Sequence, residues 1–144
     1  MDLGFRVEVL WSDTDIFEVR VFAWNGAFGG CADAYVAIVG LKEAAAELEG
    51  FPRSASDSRE LIFGAFGKEW AGGAVNMRFY CRDAAGHAFV DARIESDHHK
   101  THGAQSVVLS VPIEASAMDT FVEELQHLEN DKRGVAILRA SSPL

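Results

Sequence analysis

The chain has 144 residues and a mass of 15.7 kDa, the length of one ordinary domain with no room for two. Hydrophobic residues make up 49% and charged residues 24%, the balance of a globular chain, which argues against disorder. Acids outnumber bases 22 to 13 for a net charge of −9, which argues against a general nucleic-acid binder and against a polybasic membrane-surface protein.

The first residues lack the basic and apolar regions of a secretory signal, and no window approaches the length of a membrane span. The two cysteines, Cys31 and Cys81, are too far apart for a metal knuckle or a redox pair. Each sits in a strand-like run and reads as a buried small hydrophobe. A cytoplasmic protein is the simplest expectation.

Taken in order, residues 5–11 alternate, with Phe5, Val7, Val9 and Trp11 on one side and Arg6, Glu8 and Leu10 on the other. Residues 16–24 do the same, and period two predicts half-buried strands. Asn25-Gly26 predicts a hairpin turn, followed by a strand over 31–38. The period then changes. Leu41, Ala44, Ala45 and Leu48 line one face of a helix, with Glu43, Glu47 and Glu49 off that stripe and Gly50 and Pro52 placed to end it.

Strand signals return over 60–66, 75–82, 88–95 and 105–113, with Asp83-Ala84-Ala85-Gly86 as a tight turn. Ser116 with Asp119 resembles a helix-opening capping pattern, and Met118, Phe121, Val122, Leu125 and Leu128 make a second stripe. A last strand spans 135–138.

The elements read strand, strand, strand, helix, strand, twice over. Val7, Val9, Trp11 and Asp13 match Met77, Phe79, Cys81 and Asp83 at an offset of 70. Leu41, Ala44, Ala45 and Leu48 match Met118, Phe121, Val122 and Leu125 at an offset of 77, and Leu61-Ile62-Phe63 lies near Val135-Ala136-Ile137. Alternating strands and amphipathic helices also align by chance, so duplication and coincidence both stay open. The fold expectation is one α+β domain over 1–144: a largely antiparallel sheet of about eight strands with two amphipathic helices on one face.

The opposite strand phase carries Arg6, Glu8, Glu18, Arg20, Arg78, Arg82, Asp91, Arg93 and Glu95, interleaved with Leu10, Phe22, Trp24, Tyr80 and Phe89. Five of the nine arginines fall in this set, which concentrates them on one phase. One reading is a solvated face with cross-strand ion pairs. The other is a contact surface, since Trp, Tyr and Arg are enriched at binding hot spots. Its candidate residues are Arg20, Phe22, Trp24, Arg78, Tyr80, Arg82 and Arg93, serving a protein partner or a second copy in a homodimer.

Chemistry-bearing motifs are few. His98, His99 and His102, in the run Asp97-His98-His99-Lys100-Thr101-His102, are the candidate metal ligands. No second ligand framework accompanies them, and the segment reads as a histidine-containing loop. Asp13 and Asp15 have the opening spacing of a calcium loop without its Gly and closing Glu, so turn chemistry explains them. The Gly-rich run 26–30 lacks the Lys-Ser/Thr ending of a phosphate loop. Cys81 and His87 offer a thiol and a base, but they sit across a hairpin turn rather than side by side, and Cys81 reads as inward-facing. No catalytic residue, metal or cofactor is assigned.

Phe28-Gly29-Gly30-x-x-Asp33-x-Tyr35-Val36, residues 41–48, Gly50-Phe51-Pro52, Phe79-Tyr80-Cys81-x-Asp83-x-x-Gly86-His87 and residues 121–125 together resemble a family of small bacterial proteins of unknown function. Some of that family are grouped with immunity proteins of polymorphic toxin systems. The resemblance covers nearly the whole chain and rests on structural motifs. Those motifs carry no catalytic signature, and the leading expectation is a non-enzymatic, immunity-like protein-binding module that holds its partner on the Arg/aromatic face or on an acidic edge. The alternative is a small-molecule carrier or cryptic enzyme, with a pocket between sheet and helices lined by Met77, Phe79 and Phe121.

Overall fold

A computed structural model describes residues 2–100 and 102–144. Eight strands and two helices follow in the order β1 (Gly4–Ser12), β2 (Ile16–Trp24), β3 (Gly29–Ala37), α1 (Gly40–Leu48), β4 (Ser58–Gly64), β5 (Ala74–Cys81), β6 (Ala88–Glu95), β7 (Ser106–Ile113), α2 (Ala115–Asp131) and β8 (Val135–Arg139). The fold is α+β, and every strand pairing is antiparallel.

The strands form two four-stranded sheets, ordered β3-β2-β1-β8 and β4-β5-β6-β7, and not the single eight-stranded sheet expected from the periodicity. The reason lies at the seams. Among the described residues the outer edge of β3 meets the second sheet through one backbone bond, Gly73 N–H to the Asp33 carbonyl at 2.7 Å. β7 meets β8 through the isolated bridge Ile113–Ala140. Twist accumulates from strand to strand, so the edges touch at points rather than along ladders.

The order of elements and the pairing both repeat. Each half contributes three adjacent strands and passes its fourth to the other half, β4 beside β5 and β8 beside β1. The registers coincide. Phe5↔Ala23 corresponds to Val75↔Ile94, and Val7↔Val21 to Met77↔Ala92. Val7↔Ala136 corresponds to Met77↔Leu61. The last strands therefore match as Leu61 to Ala136 and Ile62 to Ile137, one residue away from the alignment expected on sequence.

One core takes residues from every element. Val7, Val19, Val21, Met77, Phe79, Val90 and Ile94 are buried, as the alternation predicts. Leu41, Ala44, Ala45 and Leu48 of α1 and Met118, Phe121, Val122, Leu125 and Leu128 of α2 bring both helical stripes into it. The helices also pack on each other.

Three local expectations fail for identifiable reasons. Trp11, expected in the core, is 44% exposed. A β-bulge shifts the register from Val9↔Val19 to Trp11↔Glu18, which turns Trp11 to the outer face, where its indole N–H donates to Glu18 Oε1 at 2.8 Å. Cys31 is exposed, because it occupies the outer phase of β3 opposite Phe22. The Ser116–Asp119 capping pair does not open α2, whose N-cap is Glu114 with no side-chain cap bond.

Candidate functional site

The strand phase opposite the core becomes two outward faces, one on each sheet. The seven candidate binding residues are therefore divided. Arg20, Phe22 and Trp24 lie on β2 in the first sheet; Arg78 and Tyr80 on β5, Arg82 just beyond it, and Arg93 on β6 belong to the second.

On the first sheet, three rows run across the strands: Val135·Glu8·Arg20·Asp33, Ile137·Arg6·Phe22·Cys31 and Arg139·Gly4·Trp24·Gly29. Arg20 binds Asp33 in a two-point ion pair, Nε to Oδ1 at 2.8 Å and Nη2 to Oδ2 at 3.0 Å. The Asp33 carboxylate holds the Arg20 guanidinium above its ordinary range. Arg6 leans toward Glu8 at 3.6 Å. Beside these ion pairs, Arg6, Phe22, Trp24, Val135 and Ile137 line a groove of about 570 Å³ with the N-terminal segment as its remaining wall. Phe22 and Trp24 are half-buried, so their rings present area without being locked into the core.

The second sheet uses the same positions differently. Under the repeat Glu8 corresponds to Arg78 and Arg20 to Asp91, so the facing positions carry opposite charges in both halves, in reversed order. Asp91 accepts bonds from Tyr80 Oη at 2.9 Å and Ser110 Oγ at 2.6 Å, and Arg78 reaches it at 3.5 Å. Arg78 lies 4.2 Å from the Tyr80 ring centroid and Arg82 3.7 Å from that of Phe89. Arg93 stacks on Phe66 at 4.2 Å. These groups bond and stack on one another.

The histidines do not converge. His98 Nε2 is 2.5 Å from Glu95 Oε1, while His99 and His102 are exposed; Thr101 lies outside the described residues. Among the described residues no group of three or more His, Cys, Asp or Glu side chains is arranged to hold a metal ion. His87 is bound to Asp83 at 2.5 Å, and burial pushes the Cys81 thiol upward in pKa. Asp13 and Asp83 do the same turn chemistry at equivalent places, accepting from Asp15 and Ile16 N–H and from Ala85 and His87 N–H. Met77, Phe79 and Phe121 are fully buried side chains of the core, and none of them lines the groove on the first sheet.

Compared with family models, curated proteins and solved structures, the chain matches none. No helix among the described residues is long and apolar enough to cross a membrane.

Sequence reading missed two positioning carboxylates. Glu129, buried in α2, accepts the N–H groups of Val39, Leu41 and Lys42 at the start of α1. Its signal was present: Glu129 continues the stripe of Val122 and Leu125 at helical spacing, a place where an acid needs a partner. Glu124 reaches the Ile137 N–H on the outer edge of β8 at 3.0 Å.

Proposed function

We propose that this chain is a non-enzymatic protein-binding module that holds its partner on the outer face of the first sheet. The observation that carries the reading is the groove of about 570 Å³ walled by Phe22, Trp24, Ile137, Val135 and Arg6. Half-buried aromatic rings beside arginine are the composition of binding hot spots, where rigid apolar area is released from water at small entropic cost. Arg20 and Asp33 flank the groove as a fixed ion pair, which gives a partner a charged register mark more than affinity. The acidic whole, at −9, steers basic partners toward it. An immunity-type role in the cytoplasm, with a protein as the neutralised partner, is the biological form of this proposal. A second copy of the chain could occupy the same face.

A second reading also has an observation behind it. The groove volume falls within the range of small-molecule sites. In that case the ligand sits on the sheet surface rather than between sheet and helices.

The test is capture of partners from native lysate on tagged protein, read by mass spectrometry. Two double variants separate the faces: Phe22→Ala/Trp24→Ala on the first sheet and Tyr80→Ala/Arg82→Ala on the second. A stoichiometric partner lost only with the first variant supports the proposal. A partner lost only with the second variant moves the site to the other sheet.

A further inference from the structure

The two halves treat one equivalent strand edge in opposite ways. The Arg82 N–H donates to the His87 carbonyl at 3.0 Å, extending the β5–β6 ladder. Even-numbered residues of β5 therefore bond β6 and odd-numbered ones face β4, because antiparallel pairing alternates. Phe79, Met77 and Val75 pair with Arg59, Leu61 and Phe63. Glu60 and Ile62 thus turn their peptide N–H and C=O away from the sheet. Across from them, the Ile38 N–H bond to Asp15 sets the parity of β3, leaving Tyr35 and Ala37 facing outward. Among the described residues no ladder joins β3 to β4.

β8 is the counterpart of β4. Val9 N–H donates to the Gly134 carbonyl, so Ile137 faces outward as Ile62 does. There the chain closes its own edge: Glu124 of α2 accepts the Ile137 N–H. The equivalent residue on α1 is Glu47, at the helix offset of 77. It lines the groove beside Ile62 without bonding it. The helix of one half bonds an outward N–H of this edge, and the helix of the other half does not.

The open edge has a defined chemistry. β3, α1 and β4 enclose a groove of about 380 Å³ that contains the exposed carboxylates of Glu43, Glu47 and Glu60 and no basic residue. The nearby Arg59 is committed to Asp57 at 2.9 Å and to the carbonyls of Glu47 and Glu49. The Ile62 side chain is 53% exposed at the groove mouth. An open strand edge accepts another strand, with main-chain bonds giving affinity and alternate side chains giving selectivity.

We propose that this groove binds an extended segment of a partner protein, bearing lysine or arginine at alternate positions, as an added strand on β4. Its peptide groups take up those of Glu60 and Ile62, and its cations, all on one face of the added strand, face Glu43 and Glu47 of α1. The inference is independent of the sheet-face reading, because the two surfaces share no residue.

The probe is a blocked, fluorescent peptide of about eight residues alternating Val and Lys, titrated into the full chain by anisotropy. Two controls accompany it: Glu in place of Lys, and the Lys peptide N-methylated on its pairing edge. The Lys peptide should bind at least about tenfold more tightly than either control. Glu43→Gln/Glu47→Gln/Glu60→Gln should weaken it at least about tenfold with unchanged melting, and binding should slow hydrogen exchange at the Ile62 amide. Phe22→Ala/Trp24→Ala should bind it as the unsubstituted chain does. Absence of binding at about 1 mM peptide, equal binding to the triple Gln variant, or bound peptide with no protection at Ile62 would each overturn the inference while leaving the sheet-face proposal standing.

Discussion

Glu129 near the end of α2 caps the start of α1 by accepting the Leu41 N–H at 3.1 Å, with Val39 and Lys42 donating to the same carboxylate. The N-cap residue of α1 is Val39, which has no side-chain oxygen and sits at φ 81. The unpaired N–H groups of that first turn are satisfied from the other half of the molecule. Replacing Glu129 by Ala strands buried donors and should cost about 2–4 kcal/mol in urea unfolding. Glu129→Gln keeps an acceptor but loses the charge at the helix N-terminus and should cost less, about 1–2 kcal/mol. Equal stability of Glu129→Ala and the unsubstituted chain would show that α1 needs no such cap.

The bulge in β1 can be tested by a pair of substitutions. Phe79 is fully buried and Trp11 is turned outward, although the sequence places them on the same strand phase. Phe79→Ala should cost about 3–5 kcal/mol, and Trp11→Ala less than about 1 kcal/mol. Comparable losses would place Trp11 back in the core.

Gly64, at the end of β4, lies against Ala34 of β3. At φ 76 it takes a backbone conformation that side chains resist, and an added Cβ would meet the Gly73 carbonyl and the Ala34 Cβ. Gly86 has a similar φ of 82 with open space around it. Gly64→Ala should therefore lower the melting temperature clearly more than Gly86→Ala. The reverse order would mean that the seam there is loose.

Acid should destabilise the fold, and the sign follows from four carboxyls. Asp57 is held below the ordinary 3.8 by the Arg59 guanidinium, Asp83 by the His87 bond, and Asp13 by the N–H groups of Asp15 and Ile16. Glu95 is held below 4.5 by its bond to His98. Each group has a lower pKa folded than unfolded, so its contribution is complete above the ordinary carboxyl value. It is lost as pH falls through the folded value. The urea midpoint should stay level with respect to these groups above about pH 5 and decline progressively below. Asp57→Asn should be less stable than the unsubstituted chain at neutral pH and converge with it in acid. A midpoint rising on acidification would contradict this assignment.

Much of the fold was legible because periodicity reports which side of an element is wet. The stripe Leu41, Ala44, Ala45, Leu48 and its counterpart Met118, Phe121, Val122, Leu125 fall where the offset of 77 puts them. Periodicity does not say which strand lies beside which. The exchange of β4 and β8 between halves is a long-range pairing, and with it went the division of Arg20, Phe22 and Trp24 from Arg78, Tyr80, Arg82 and Arg93. Trp11 was misplaced because a bulge changes phase without changing composition. The open edge at Ile62 was not legible either, since it depends on hydrogen-bond parity and on what Glu124 does at the equivalent position.

The decisive measurement is calorimetric titration of a purified captured partner into the unsubstituted chain and the two double variants. Phe22→Ala/Trp24→Ala should weaken binding by at least about thirtyfold, as expected for paired hot-spot residues, while Tyr80→Ala/Arg82→Ala changes it by less than about threefold. Undiminished binding by Phe22→Ala/Trp24→Ala would contradict the assignment of the first sheet's outer face as the partner surface.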